Sequence, residues 1–260
     1  WLEEVLGALY TDDNEENDTG RAMAEVFGGI TDWTMKKRIP FTSAAKWGGA
    51  VFEEHGAFLA GAPEFILGGR YGEVAETVEQ WAAQGCRVLL IAGYGGDPVP
   101  GALEEEKIKP LALVLLTNRI REQAPDTFAY FKEQGVSIRV ISGDNPVTVA
   151  EVARRAGIDG AEHWINTESL ETEEDFDRAV ENYTVFGRVT PDKKKMLIQA
   201  LKRAGHTVAM TGDGVNDVLA MKEADCGMAM ASGAQAASQI AQLVLLDSDF
   251  AAMPSIVGEG

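Results

Sequence analysis

The run Thr211-Gly212-Asp213-Gly214-Val215-Asn216-Asp217 sets two carboxylates and an amide around a pair of glycines. Such a turn suits a hard cation held beside a phosphate, because Mg²⁺ takes one or two carboxylates and completes its octahedron with waters and phosphate oxygens. Asp213 and Asp217 are four apart and converge if the turn winds directly into a helix. Gly212 and Gly214 permit a tight turn and a close approach to a ligand. A bare Asp-Gly dipeptide is better explained as a solvated turn with a capping Asn or Asp. The whole run, between an apolar segment and an amphipathic one, favours the cation site.

Two further segments carry the same kind of chemistry. Ser142-Gly143-Asp144-Asn145 ends an apolar run and opens a helix, so its N–H groups and hydroxyl could cradle an oxyanion at a helix N-terminus; Asp144 or Asn145 could equally cap that helix. In Arg188-Val189-Thr190-Pro191-Asp192-Lys193-Lys194, Pro191 starts a helix and Lys194 falls in its first turn. A cation there opposes the helix dipole by roughly 0.3–1 kcal/mol, so an anionic neighbour is expected for Lys194. Lys193 reads as a solvated surface lysine.

These residues need a scaffold that brings strand ends together. Residues 206–210 read as a buried parallel strand and 215–222 as the helix behind it, which places Asp213 at a carboxyl end of the sheet, where open α/β folds bind ligands. From about residue 111 onward, strand candidates at 111–116, 136–141, 183–186, 207–210, 226–230 and 243–246 alternate with helix candidates at 124–134, 145–156, 191–204 and 234–241. That rhythm predicts a parallel sheet with crossover helices. Gly135, Gly157 and Gly205 stand where helices stop. The first part differs: helices at 1–9, 21–27 and 72–84, strands at 48–52, 57–59 and 87–92, an acidic loop at 11–18 and a Gly/Pro-rich turn at 93–101. It reads as a separate α+β domain, giving domains at 1–116 and 117–260. The glycines of 93–101 lack dinucleotide-fingerprint spacing.

Composition narrows the classes. With 260 residues and 45% hydrophobic side chains the chain can bury one large or two modest cores. A net charge of −18 argues against nucleic acid as a partner. No apolar run reaches the length of a bilayer span, and the first residues lack the basic start of a signal peptide. Cys86 and Cys226 have no metal-like spacing to His55, His163 or His206, so reduced thiols are expected and zinc is not.

Taken in order, these motifs resemble those of the cytoplasmic region of P-type cation-transporting ATPases, within the haloacid dehalogenase-like superfamily. Ser142-Gly143-Asp144-Asn145 resembles the family's TGDN, Arg188 to Lys194 its R-x-x-P-x-x-K, and Thr211 to Asp217 its TGDGVND, followed by a similar segment from Lys222 to Met230. The resemblance runs over about 111–250. It implies a phosphorylation domain in which Asp213 binds Mg²⁺, Lys194 contacts the transferred phosphoryl group, Ser142 and Gly143 hold its oxygens, Asp144 belongs to the same catalytic set, and Asn216 and Asp217 support the metal. It makes the first part an ATP-binding domain. There Phe41 stacks on adenine and Lys46 contacts the nucleotide. Ala60-Gly61-Ala62-Pro63-Glu64 matches a KGAPE turn, and Arg87 reaches the phosphates; an ordinary core role for Phe41 is the competing explanation. Arg121 and Arg188 complete the implied nucleotide contacts. The absence of a His-Pro pair sets the chain apart from heavy-metal pumps.

The departures are specific. Ala60 replaces the family's lysine, Asn118 replaces the usual Asp of a DPxR segment, and no Asp-Lys-Thr-Gly-Thr occurs. The resemblance therefore implies an excised cytoplasmic piece of a membrane pump. Such a piece binds ATP or ADP and Mg²⁺, works with the transmembrane and actuator domains of its parent, leaves the transported cation to membrane helices, and cannot phosphorylate itself. It also predicts an interrupted sheet near Ile138 and Val208. A free-standing Mg²⁺-dependent phosphatase of the same superfamily needs a D-x-D strand near its N-terminus, which 1–10 does not supply. A non-catalytic nucleotide-binding module is the remaining alternative.

Overall fold

The computed structural model describes residues 1–11, 18–117 and 120–259. Most of the acidic loop, and Asn118, lie outside them. The chain divides into two compact units, Trp1–Ala82 with Cys86–Thr117, and Ala83–Gly85 with Asn118–Gly260.

The first unit is built on a five-stranded antiparallel sheet in the order β1-β2-β3-β4-β5, with β1 Met35–Ile39, β2 Trp47–Phe52, β3 Gly56–Gly61, β4 Cys86–Tyr94 and β5 Ile108–Thr117. Its helices are α1 Leu2–Leu9, α2 Asp18–Phe27, α3 Pro63–Leu67 and α4 Ala75–Ala82. Alternation along the strands supplies two apolar faces. Trp47, Val51, Leu59, Leu90 and Ala92 pack with Ile66 and Leu67 of α3. Ala50, Phe52, Phe58 and Ile91 pack with Val5, Leu6 and Leu9 of α1 and Met23 of α2. Burial on both faces explains why 88–92 is a continuous apolar run.

The second unit holds α5 Ala124–Glu133, β6 Val140–Ile141, α6 Pro146–Arg155, β7 Trp164–Asn166, α7 Glu173–Asn182, β8 Val185–Gly187 and α8 Pro191–Arg203. β9 Ala209–Gly212, α9 Val218–Glu223, β10 Cys226–Met230, α10 Gln235–Ile240, β11 Leu243–Leu245 and α11 Met253–Glu259 follow. All its pairings are parallel, in two three-stranded sheets ordered β6-β8-β7 and β11-β10-β9. Among the described residues β6 and β9 are thus each paired on one side only, near where the sequence predicts an interruption. One core serves both sheets: Phe176, Phe186, Leu197 and Ile198 pack with Val208, Met210, Met221 and Ala229. Gly135, Gly157 and Gly205 end their helices at φ of 72, 86 and 88°.

The fold is α/β with a parallel-strand unit and an antiparallel α+β unit, as read from the sequence, but several elements differ. Residues 111–116 belong to β5, antiparallel to β4, and close the first unit's sheet instead of opening the parallel one. An apolar run carries no mark of its partner's direction. Of 136–141 only Val140–Ile141 pairs, and β9 begins at Ala209. β1, α3, β7 and α7 were not anticipated. α7 did carry a signal: Thr172 and Asp175 form a reciprocal capping box.

That box gives an acid-dependent contribution. The Thr172 N–H and hydroxyl hold the Asp175 carboxyl far below the ordinary 3.8. The Val208 N–H, then the Lys202 ammonium, lower that of Asp225. Because the folded-state values lie below the unfolded ones, this stabilisation is complete above about pH 4 and fades as pH falls through the folded values. Urea midpoints between pH 3 and pH 7 should therefore drop less steeply for Asp175→Asn than for the unaltered chain; equal slopes would count against it.

Candidate functional site

The carboxyl ends of β6 and β8 lie side by side, with Ile141 opposite Phe186, and the segments that leave them are laced together. Ser142 N–H donates to Phe186 O at 2.9 Å, Val189 N–H to Ser142 O at 3.0 Å and Arg188 N–H to Asp144 O at 2.9 Å. Arg188 is buried, adopts φ of 54°, and its Nη1 donates to Gly143 O at 3.4 Å. Gly187 is required by proximity: a Cβ there would lie 2.5 Å from Pro146 Cα. Asn145 is the residue that caps α6, accepting from Val147 N–H at 2.9 Å, so the capping explanation belongs to Asn145. The Asp144 N–H donates to Ser142 Oγ at 3.1 Å, which shapes the loop from within.

From Arg188 the chain runs straight into α8, capped by Thr190. The anionic neighbour expected for Lys194 is Asp217: Nζ and Oδ1 are 2.5 Å apart, with side chains 12% and 9% exposed. The other carboxylate oxygen of Asp217 accepts from Gly214 N–H at 3.2 Å. A 3₁₀ turn, Val215–Asp217, precedes α9 and swings this carboxylate back over the strand end. Neither Gly212 nor Gly214 uses a positive φ. What needs Gly212 is Asp217 itself, whose Cβ would be 2.5 Å from a Cβ at 212. Asp213 is exposed, and its carbonyl accepts from Ala234 N–H at 2.6 Å, which pins the turn from the α10 side.

Two bonded groups result, Ser142-Gly143-Asp144 with Arg188, and Lys194 with Asp217 and Gly214, joined by the continuous segment from Arg188 to Lys194. Among the described residues no group of three or more His, Cys, Asp or Glu could hold a metal alone. The donors present are exposed Asp213 and Asn216 and a carboxylate already bound to lysine. That set fits an ion that keeps most of its waters, as Mg²⁺ does, and does not fit a closed protein cage.

In the first unit Phe41, Lys46, Gly61 and Arg87 come to one end of the sheet. Trp47 faces Gly61 across β2 and β3, Ile39 faces Gly49, and Leu90 faces Gly61, which sets Arg87 beyond the end of β3. Phe41 is 46% exposed, so it is no core phenylalanine. Lys46 sits at φ of 58°; its N–H donates to Thr42 O at 2.8 Å and its carbonyl accepts from Ala62 N–H at 2.9 Å. Arg87 Nη1 donates to Thr19 Oγ1 of α2 at 2.8 Å. Arg121 pairs with Asp249 at 3.0 Å.

Lys193 was misread. It is only partly exposed, and its Nζ donates to Thr167 O at 2.5 Å and Glu168 O at 3.2 Å. Thr19 and Thr167 likewise went unnoticed, because hydroxyls that serve partners remote in sequence leave no local signature. Neither cysteine is in a disulfide among the described residues, Cys86 being buried and Cys226 partly so, and no helix among the described residues is long and apolar enough to cross a membrane.

The sequence has relatives among known proteins. The chain is 45% identical over 258 residues to calcium-transporting ATPase CtpE of Mycobacterium tuberculosis, covering 99% of this chain and 32% of that protein. It is 40% identical to the probable cation-transporting ATPase exp7 of Streptococcus pneumoniae, covering 98% of this chain and 32% of that one. To magnesium-transporting ATPase, P-type 1, of Salmonella typhimurium it is 34% identical over 189 residues, 70% of this chain and 21% of the relative. The chain thus spans about a third or less of the length of these relatives and is homologous to P-type cation-transporting ATPases. A family model for haloacid dehalogenase-like hydrolases matches residues 64–225, from α3 of the first unit to the residue before β10. With the laced strand ends and the Lys194–Asp217 pair inside that match, the chain belongs to the haloacid dehalogenase-like hydrolase family.

Proposed function

We propose that the chain is the nucleotide-binding and phosphorylation part of an ATP-driven pump for a hard divalent cation, calcium being the first candidate from the names of its relatives. The observation that carries this reading is the buried Lys194–Asp217 pair beside the laced ends of β6 and β8. A lysine held there by a carboxylate can be presented to a phosphoryl oxygen, and phosphoryl transfer depends mainly on positioning and charge neutralisation. Lys194 contacts the transferred group, Ser142 and Gly143 hold its oxygens, Asp144 shapes their loop from within, and Arg188 fixes it. Asp213 holds Mg²⁺, with Asn216 and Asp217 supporting it; the ion supplies charge neutralisation on the phosphate. Phe41 stacks on the base, while Lys46, Gly61, Arg87 and Arg121 complete the nucleotide contacts. The first unit is the nucleotide-binding domain and the second the phosphorylation domain. In the parent, a membrane protein whose transmembrane and actuator parts complete the machine, an aspartyl-phosphate forms and is hydrolysed. This chain, without an Asp-Lys-Thr-Gly-Thr, binds nucleotide on the cytoplasmic side but does not label itself from ATP.

Calorimetric titration with ATP and ADP tests this. Phe41→Ala should weaken binding about 5–150-fold, as loss of one base stack of about 1–3 kcal/mol requires. The melting temperature should hardly move, since the ring is half exposed. Unchanged affinity would remove the site, and acid-stable labelling of the chain from radioactive ATP would overturn the last claim.

A further inference from the structure

Three consecutive lysines, 193 to 195, stand at the start of α8, and the first two reach acceptors in different directions. Lys194 reaches Asp217. Lys193 reaches back to the 3₁₀ turn Thr167–Ser169 that follows β7, where its ammonium meets the carbonyls of Thr167 and Glu168. Thr167 is fully buried, and its hydroxyl donates to Gly187 O at 3.0 Å, at the end of β8. The contacts close a ring: Gly187, the Arg188–Thr190 link, the first turn of α8, Lys193, Thr167, and Gly187 again.

The ring has a physical use. The first turn of a helix has no preceding turn to hold it, and two cations there oppose the dipole. Each lysine needs its own acceptor, and carbonyls at the end of a turn suit an ammonium as well as a carboxylate does. With successive helical side chains about 100° apart, an anchored Lys193 fixes the rotation of the turn about its axis, and with it the direction of its neighbour.

We propose that Lys193 is a positioning residue, which by tying the first turn of α8 to the carbonyls of Thr167 and Glu168 sets where Lys194 presents its ammonium. This rests on the reading of Lys194 as the phosphoryl contact, and it assigns the role of aligning it to a side chain that does not touch the substrate itself.

Lysine ammonium groups held in buried hydrogen bonds can be followed by nitrogen-correlated NMR on the whole chain. Lys193→Met should shift the Lys194 ammonium signal and speed its proton exchange at least threefold. Lys193→Arg, which keeps the donors, should restore both. Lys193→Gln, which keeps a shorter N–H donor and loses the charge, should fall between and serves if the methionine variant folds poorly. An unmoved Lys194 signal in both uncharged variants overturns the proposal. Titrating the unaltered chain with Mg²⁺ and inorganic phosphate while watching the same signal tests the underlying reading separately: no response there would count against Lys194 as a phosphoryl contact and leave the positioning result intact.

Discussion

Asp217→Ala is expected to destabilise the second unit by about 3–5 kcal/mol, the range for removing one partner of a buried ion pair. With side chains only 12% and 9% exposed, Lys194 and Asp217 escape most of the screening that makes surface pairs worth little. The loss leaves the Lys194 ammonium without its acceptor and strips the Gly214 N–H of its partner. Asp217→Asn keeps an oxygen for Gly214 and the same volume, and should lose less. Urea unfolding followed by amide exchange in β8 and β9 would measure both. A loss below about 1 kcal/mol for the alanine variant would show that the pair behaves as a solvated one. Asp213→Ala, at an exposed side chain, serves as the contrast and should change stability little.

Gly187→Ala should be comparably severe for a different reason. The added methyl would sit 2.5 Å from Pro146 Cα and Cβ and 2.6 Å from Pro146 N, and neither backbone nor proline ring can swing aside. Overpacking of this kind costs about 3 kcal/mol at its upper end. Relief requires β8 to part from the start of α6, which pulls Arg188 off Asp144 and Val189 off Ser142. Thermal melting should show the loss, with faster exchange of the Ser142 and Val189 amides. Gly72→Ala, where an added methyl meets nothing within 4 Å, should melt as the unaltered chain does. If both variants melt alike, the close approach has been misjudged.

The sequence disclosed the strand-turn-helix frame of the second unit because each piece advertises itself locally. Pro191 and Thr190 start α8, Asn145 caps α6, and glycines with positive φ end three helices. Spacing alone also led to the anionic partner of Lys194, though not to its identity, because Asp217 was read as supporting a metal. What stayed hidden depends on contacts across the chain. β5 joined the antiparallel sheet since its apolar run fits either direction. β7 is three residues long and carries exposed Trp164, so it offers neither length nor alternation. Lys193 looks like any surface lysine until β7 and its turn are in place.

Lys46 and Arg188 share an unusual property, a left-handed backbone at φ of 58 and 54°. Glycine would adopt that conformation freely, whereas a side chain there carries about 1–2 kcal/mol of steric penalty. Glycine at 188 would release that strain but lose the buried guanidinium and its bond to Gly143 O, whereas at 46 it would remove the cation proposed for the nucleotide, so a selection for heat tolerance alone would spare Arg188 longer than Lys46.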